Sequence, residues 1–250
     1  MQEILTCIMD IGEQMLIHGA EVHRVEESIQ RMCTALGAKR VDVFIITNFL
    51  MATVYDENGE SYTQTRRLSG STTNFDMTHR LNKLSRRICR DKLSTEEIYR
   101  ELAWVQSCKT YPFWLECLAY SAIAGSFTVF FGGTLADGLI SLVIGAIVRF
   151  SILLSEKVIS NKMFSKFFSS LIATILAYAA HKFGILDRID AVIIGNIMTL
   201  IPGIGLTNAL RDLFTGDSIS GILRCIEAVL TALAIAAGYF IVAIFGGAML

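Results

Sequence analysis

The stretch Asp190–Asp217, DAVIIGNIMTLIPGIGLTNALRDLFTGD, begins as a membrane helix would and then places Pro202-Gly203-Ile204-Gly205 inside its apolar run. Proline removes a backbone donor, and the flanking glycines favour non-helical angles. In lipid, a carbonyl freed in this way is costly unless protein or water meets it. Broken helices near the bilayer midplane recur in secondary transporters, where half-helix ends hold substrate or coupling ions. A kink kept only for packing is the plainer reading. The polar company of this break, Asn196, Thr199, Thr207 and Asn208 followed by Arg211-Asp212, favours a site.

Outward from the break, the chain divides in two. Its 250 residues are 53% hydrophobic, with mean hydropathy +0.52, too apolar for an ordinary soluble domain. Residues 1–111 hold 14 of the 22 Lys+Arg and 15 of the 23 Asp+Glu. This predicts a polar α+β domain over 1–111 and a membrane domain over 112–250. About 20 residues cross the hydrocarbon core. Spans are expected at about 113–131, 135–155, 166–183 and 219–245, with a fourth, broken element at 191–213 between the last two. The expected class is therefore a mainly α membrane protein with a small cytoplasmic α+β domain and five transmembrane elements. Lys157, Lys162 and Lys166 in the 156–166 loop put that loop and the N-terminus in the cytoplasm by the positive-inside rule. Five elements then leave the C-terminus outside. The start shows no secretory signal pattern.

The membrane half carries charges that lipid does not tolerate: Glu116, Asp137, Arg149, Arg224 and Glu227. Intramembrane charges usually face a cavity and mark a pathway. Glu116 reads as snorkelling to the interface, whereas Arg224 and Glu227, at i,i+3, can pair on one helix face. Asp212 and Glu227 are the candidates for proton or cation coupling. Arg211 and Arg224 are the candidates for a substrate carboxylate, which a guanidinium binds through two hydrogen bonds. With Asn196, Pro202, Gly203, Asn208, Asp137 and Arg149 they make up the expected pathway.

In the polar half, apolar residues recur at helical spacing over Gln2–Ile17 and Glu21–Leu36. KRVDVFIIT, FLMATVY and SYTQTRR alternate as three strands, with DENG at Asp56–Gly59 turning the last two. Helices are expected over Asn74–Arg90 and after the Ser94-Thr95-Glu96-Glu97 capping box. The segment His18–Glu26, HGAEVHRVE, holds two His and two Glu within nine residues. A zinc helix needs His at i,i+4 around a Glu, and these histidines are five apart, so a polar helix face is the expectation rather than a metal centre. A net charge of −1 argues against nucleic-acid binding. Six scattered cysteines without C-x-x-C fit reduced thiols. No catalytic constellation or cofactor loop is present in the pattern.

Two blocks together resemble the threonine/serine exporter family: HGAEVHRVEESI near the start and IPGIGLTNALRDLFTGDSISGILRCIEAVLTALAIAAG near the end. The middle segment, GSTTNFDMTHRLNKLSRRI, fits the same family. The resemblance implies an ion-coupled exporter of small hydrophilic metabolites in the cytoplasmic (inner) membrane, with no cofactor. The substrate would be an amino acid such as threonine or serine, or a dicarboxylate such as succinate. It points to Gly19, Arg24 and Glu26 in the cytoplasmic domain, and to Pro202, Gly203, Asn208, Arg211, Asp212, Gly216, Asp217, Arg224 and Glu227 in the membrane half. The full-length family pattern has about twice as many spans, so the resemblance implies a partner: a second, smaller membrane subunit, with a homo-oligomer as runner-up. The rival reading is a membrane-anchored hydrolase or sensor acting through the N-terminal domain. An anchor needs neither a broken helix nor buried charges.

Overall fold

The computed structural model describes residues 1–68, 70, 72–108, 111–158 and 161–247. Expectations that touch 69, 71, 109–110, 159–160 and 248–250, including the middle of the lysine-bearing loop, lie partly outside the described residues. The chain forms two compact units: Met1–Lys109 with Gly205–Cys225, and Thr110–Ile204 with Ile226–Leu250.

The first unit begins with α1 (Gln2–Ile17) and α2 (Val22–Ala35), joined at Gly19 with φ +88°. Glycine suits that left-handed angle. Three strands follow, β1 (Arg40–Ile46), β2 (Phe49–Tyr55) and β3 (Ser61–Arg67), in an antiparallel sheet of order β1-β2-β3. The Asp56 carboxylate accepts the Asn58 and Glu60 N–H groups and closes the β2–β3 turn. The period-2 pattern of β2 sends Leu50, Ala52 and Val54 into the core, against Leu5, Ile8, Met15, Val25 and Ile29 of the first two helices. The side chain of Asn74 caps α3 (Phe75–Asp91) by accepting the Met77 N–H. Ser94 and Glu97 form a reciprocal capping box at the start of α4 (Thr95–Ser107). Ile88, Ile98 and Leu102 complete the core.

The same unit includes most of α9 (Gly203–Thr215) and the first turns of α10 (Ser218–Gly247). They approach closely because Gly221 lacks a side chain. A Cβ there would lie 2.9 Å from the Ala209 carbonyl oxygen and from the Leu213 nitrogen.

The second unit holds α5 (Phe113–Phe130), α6 (Leu135–Val158), α7 (Lys162–Lys182), α8 (Ile189–Ile197) and the remainder of α10. Among the described residues, four helices are long and apolar enough to cross a membrane: α5, α6, α7 and, over Ser218–Phe245, α10. The α7 helix starts four residues before its expected limit, because Asn161 caps it by accepting the Met163 N–H; Lys162 and Lys166 are therefore helical. Its α5–α6 contact is glycine-mediated. A Cβ at Gly145 would sit 2.9 Å from the Tyr120 carbonyl oxygen, and one at Gly125 3.1 Å from that of Gly138. Small residues let backbones approach where lipid supplies no hydrophobic drive between helices. Ile144, Val148, Ala173, Ala177, Val192 and Ile235 form the apolar core.

Between α8 and α9 the chain turns over residues 198–202, with Pro202 just before the first residue of α9. The groups exposed there are met locally. The Asn196 carbonyl accepts from Thr199 Oγ1 at 2.7 Å, and the Ile197 carbonyl accepts the Leu200 N–H at 2.8 Å. The local polar residues thus answer much of the backbone cost that the sequence raises.

Candidate functional site

The segment HGAEVHRVE is built as a turn and a charged helix start. The Ile17 carbonyl accepts the Thr72 N–H, and the His18 carbonyl accepts the Asn74 N–H and the Thr78 hydroxyl. A Cβ at Gly19 would meet the Thr72 carbonyl oxygen at 3.0 Å, so both its φ and its surroundings select glycine. His18 Nδ1 lies 2.8 Å from the Gln14 carbonyl, a local helix-end bond. Among the described residues no group of three or more His, Cys, Asp or Glu is arranged to hold a metal ion.

Glu21, at the N-cap of α2, receives two arginines. Arg24 lies 3.6 Å from it, and Arg211 of α9, 190 positions later in the chain, pairs with it directly. The next residue, Asp212, accepts instead from Arg224 Nη1 of α10 at 3.0 Å. Successive residues on one helix thus join two different partners. The two pairs differ in access. The Arg211 side chain is 53% exposed, whereas the Asp212 side chain is 2% exposed. A buried carboxylate of that kind needs its partner. An exposed guanidinium can exchange one anion for another.

Asp217, just before α10, has a buried Oδ2 with no hydrogen-bond partner among the described residues. Its charge is felt by Glu26 on α2, whose carboxyl is pushed up first by burial and then by Asp217. Five residues expected from the sequence, Arg24, Glu26, Arg211, Asp212 and Arg224, therefore fall in one compact unit, together with Glu21. In the sequence Glu21 stands out only as part of a metal-like cluster. The signal that could have singled it out is its place at the N-terminus of a helix beside Arg24. Arg224 is bonded to Asp212, not to Glu227 as its spacing suggested. Asn208 is partly buried and Gly203 exposed.

The second unit holds the remaining expected residues in separate places. Arg149 donates from Nε to Glu116 Oε2 at 2.9 Å and lies over the rings of Phe113 and Tyr120. Glu116 is thus an ion-pair partner, not an isolated snorkelling side chain. Asp137 is fully buried, with Oδ2 accepting the Thr134 N–H and Oδ1 accepting the Asp187 N–H, both at 2.9 Å. It clamps the α5–α6 and α7–α8 connections. Asn196 is 1% exposed beside Ser141 and Thr128, two hydroxyls that no charge or motif made conspicuous. Glu227 is exposed on α10.

The chain belongs to the family described as "Putative threonine/serine exporter", whose model matches residues 6–246. It is 24% identical over 243 residues to the uncharacterized protein C16A10.01 of Schizosaccharomyces pombe, covering 92% of this chain and 29% of that protein. The chain therefore spans less than a third of that relative. It is 23% identical over 231 residues to a Klebsiella aerogenes protein named "Probable succinate transporter subunit YjjP", covering 90% of this chain and 86% of that one. No solved structure matches the chain. The family and the apolar helices make it a multi-pass membrane protein of a transporter family.

Proposed function

We propose that this chain is one subunit of a secondary transporter that exports small hydrophilic carboxylates, amino acids of the threonine/serine type or a dicarboxylate, across the cytoplasmic membrane. The observation that carries the reading is the pair of adjacent residues Arg211 and Asp212, each joined to a different helix. Arg211 is the substrate-binding guanidinium: an incoming carboxylate displaces Glu21 from it and takes over its hydrogen bonds. Asp212 and Arg224 hold α9 against α10 and fix where Arg211 points.

In this reading α8 and α9 together form a fifth membrane element broken at Pro202-Gly203. The N-terminus and the α6–α7 connection, with Lys157, Lys162 and Lys166, lie in the cytoplasm. Five elements enclose a poor pathway alone, since transporter sites usually form between two repeats. The relative named as a transporter subunit supports a partner, a second and smaller membrane protein of the same family. The exposure of Glu227 on an apolar helix supports a protein partner opposite it instead of lipid.

The test is uptake by inside-out membrane vesicles of labelled L-threonine, L-serine, succinate and an uncharged control, from cells with this chain, the smaller subunit, or both. Carboxylate flux that requires both proteins supports the proposal. Full flux with this chain alone would remove the second subunit and leave a homo-oligomer. The absence of carboxylate flux from every preparation would overturn the transporter reading.

A further inference from the structure

Positive charge in the first unit is gathered on one helix. Phe75–Lys92 hold six Lys and Arg against two acids, whereas the rest of residues 1–111 hold eight against thirteen. Within α3 the order goes further. Phe75, His79, Lys83, Arg86 and Arg90 recur at intervals of three and four, which at about 100° per residue puts them in one sector of about 80°. Met77, Leu81, Leu84 and Ile88 occupy the opposite side and enter the core. All five members of the outer stripe are exposed, Phe75 to 65% and the Arg90 side chain to 77%.

The acids of α3 do not neutralise this stripe. Asp76 pairs with Arg80 at 2.8 Å, off the stripe, and Asp91 pairs with Arg87 and Arg90 at its far end, at 3.6 and 2.7 Å. Lys83 and Arg86, in the middle, have no hydrogen bond or ion pair among the described residues. An ordinary solvated helix face mixes signs. This one presents cations and begins with an exposed phenylalanine. That is the composition of a helix lying on an anionic bilayer: cations meet headgroup phosphates and an apolar ring enters the interface. The chain also keeps such a surface near. The α4 helix ends at Ser107, and α5, long and apolar enough to cross a membrane, begins six residues later at Phe113. A short tether makes docking on that bilayer intramolecular in effect. An acidic protein would have to be recruited from solution.

We infer that the outer stripe of α3 docks on anionic phospholipid headgroups, with Lys83 and Arg86 on phosphate and Phe75 in the interface. The inference rests on the proposed topology only in choosing the cytoplasmic leaflet. The full chain, without reactive native cysteines, carries a fluorophore either on His79→Cys in the stripe or on Asn58→Cys in the β2–β3 turn. It is placed in phosphatidylcholine nanodiscs with or without phosphatidylglycerol, each containing a lipid with a nitroxide on its headgroup. Quenching of the His79→Cys label is expected to be at least about twofold stronger in the anionic discs. High salt should return it to the neutral level. Asn58→Cys should show no such difference. The enhancement should be lost in Lys83→Gln/Arg86→Gln, two substitutions that break no contact among the described residues. Equal quenching in the two kinds of disc would overturn the inference, as would an enhancement unchanged in the double variant or equal at both labels. A label shielded only when the smaller subunit is present would give the stripe to a protein and overturn lipid docking. Flux is not read in this experiment. A docked stripe in a preparation without carboxylate flux would leave this inference standing and remove the transporter reading.

Discussion

Arg224 on α10 donates a 3.0 Å hydrogen bond to Asp212 on α9, and the carboxylate that receives it is 2% exposed against 17% for the arginine side chain. The pair is asymmetric: the anion is the desolvated member. Removing the arginine strands a buried charge, which costs about 3–5 kcal/mol in soluble proteins. Arg224→Gln is therefore expected to melt several degrees lower than the parent in detergent. Asp212→Asn/Arg224→Gln, which removes both charges, should recover much of that loss. A double-mutant cycle with coupling near zero would mean that the pair contributes nothing.

Glycine contacts give a graded packing series. Gly221→Ala places a methyl group 2.9 Å from the Ala209 carbonyl oxygen, and Gly195→Ala places one 2.7 Å from Thr128 N. Both are expected to lower the yield of monodisperse protein and its melting temperature. A Cβ at Gly203 meets nothing within 4 Å, so Gly203→Ala serves as the control that folds. Equal behaviour of all three in size-exclusion chromatography would contradict the close helix contacts.

Glu26 gives the first unit a pH dependence of definite sign. Its carboxyl is raised above the ordinary 4.5, first by burial and then by Asp217. The folded unit therefore holds this proton more tightly than the unfolded chain. That stabilisation is complete below pH 4.5 and is lost as pH rises through the raised value. Melting of the parent should decline across that window, and Glu26→Gln should flatten the decline. Identical slopes in parent and variant would show that Glu26 does not titrate differently in the fold.

The two units were unequally legible in the sequence. The strands, the Asp56 turn and the Asn74 and Ser94 caps could be read because each depends on residues a few positions apart. The Arg211–Glu21 pair spans 190 positions, and no local period reports it. Arg224 pairs with Asp212, a partner that its own helix does not report. Helical spacing permits the i,i+3 pair with Glu227, but Gly221 brings α9 within reach and Asp212 is the more buried anion. Ser141 and Thr128 were silent because a hydroxyl inside an apolar helix usually bonds its own i−4 or i−3 carbonyl. Their contact appears only when α5, α6 and α8 meet.

Orientation is tested by cysteine accessibility. Asp187 is exposed on the α7–α8 connection and Lys162 on the first turn of α7. In a background without reactive native cysteines, an impermeant maleimide added outside is expected to label Asp187→Cys and to spare Lys162→Cys. The reverse pattern would invert the topology and move the charged N-terminal unit outside.

The most direct test of the central claim is carboxylate counterflow in proteoliposomes that contain this chain and its smaller partner, comparing the parent with Arg211→Ala and Arg211→Lys. If Arg211 exchanges Glu21 for a substrate carboxylate, Arg211→Ala should lose at least about tenfold in flux at low substrate, the scale of one charged hydrogen bond. Arg211→Lys should recover part of it, because it restores the charge without the fork. Parent-level counterflow in Arg211→Ala, at equal reconstituted protein, would contradict the account.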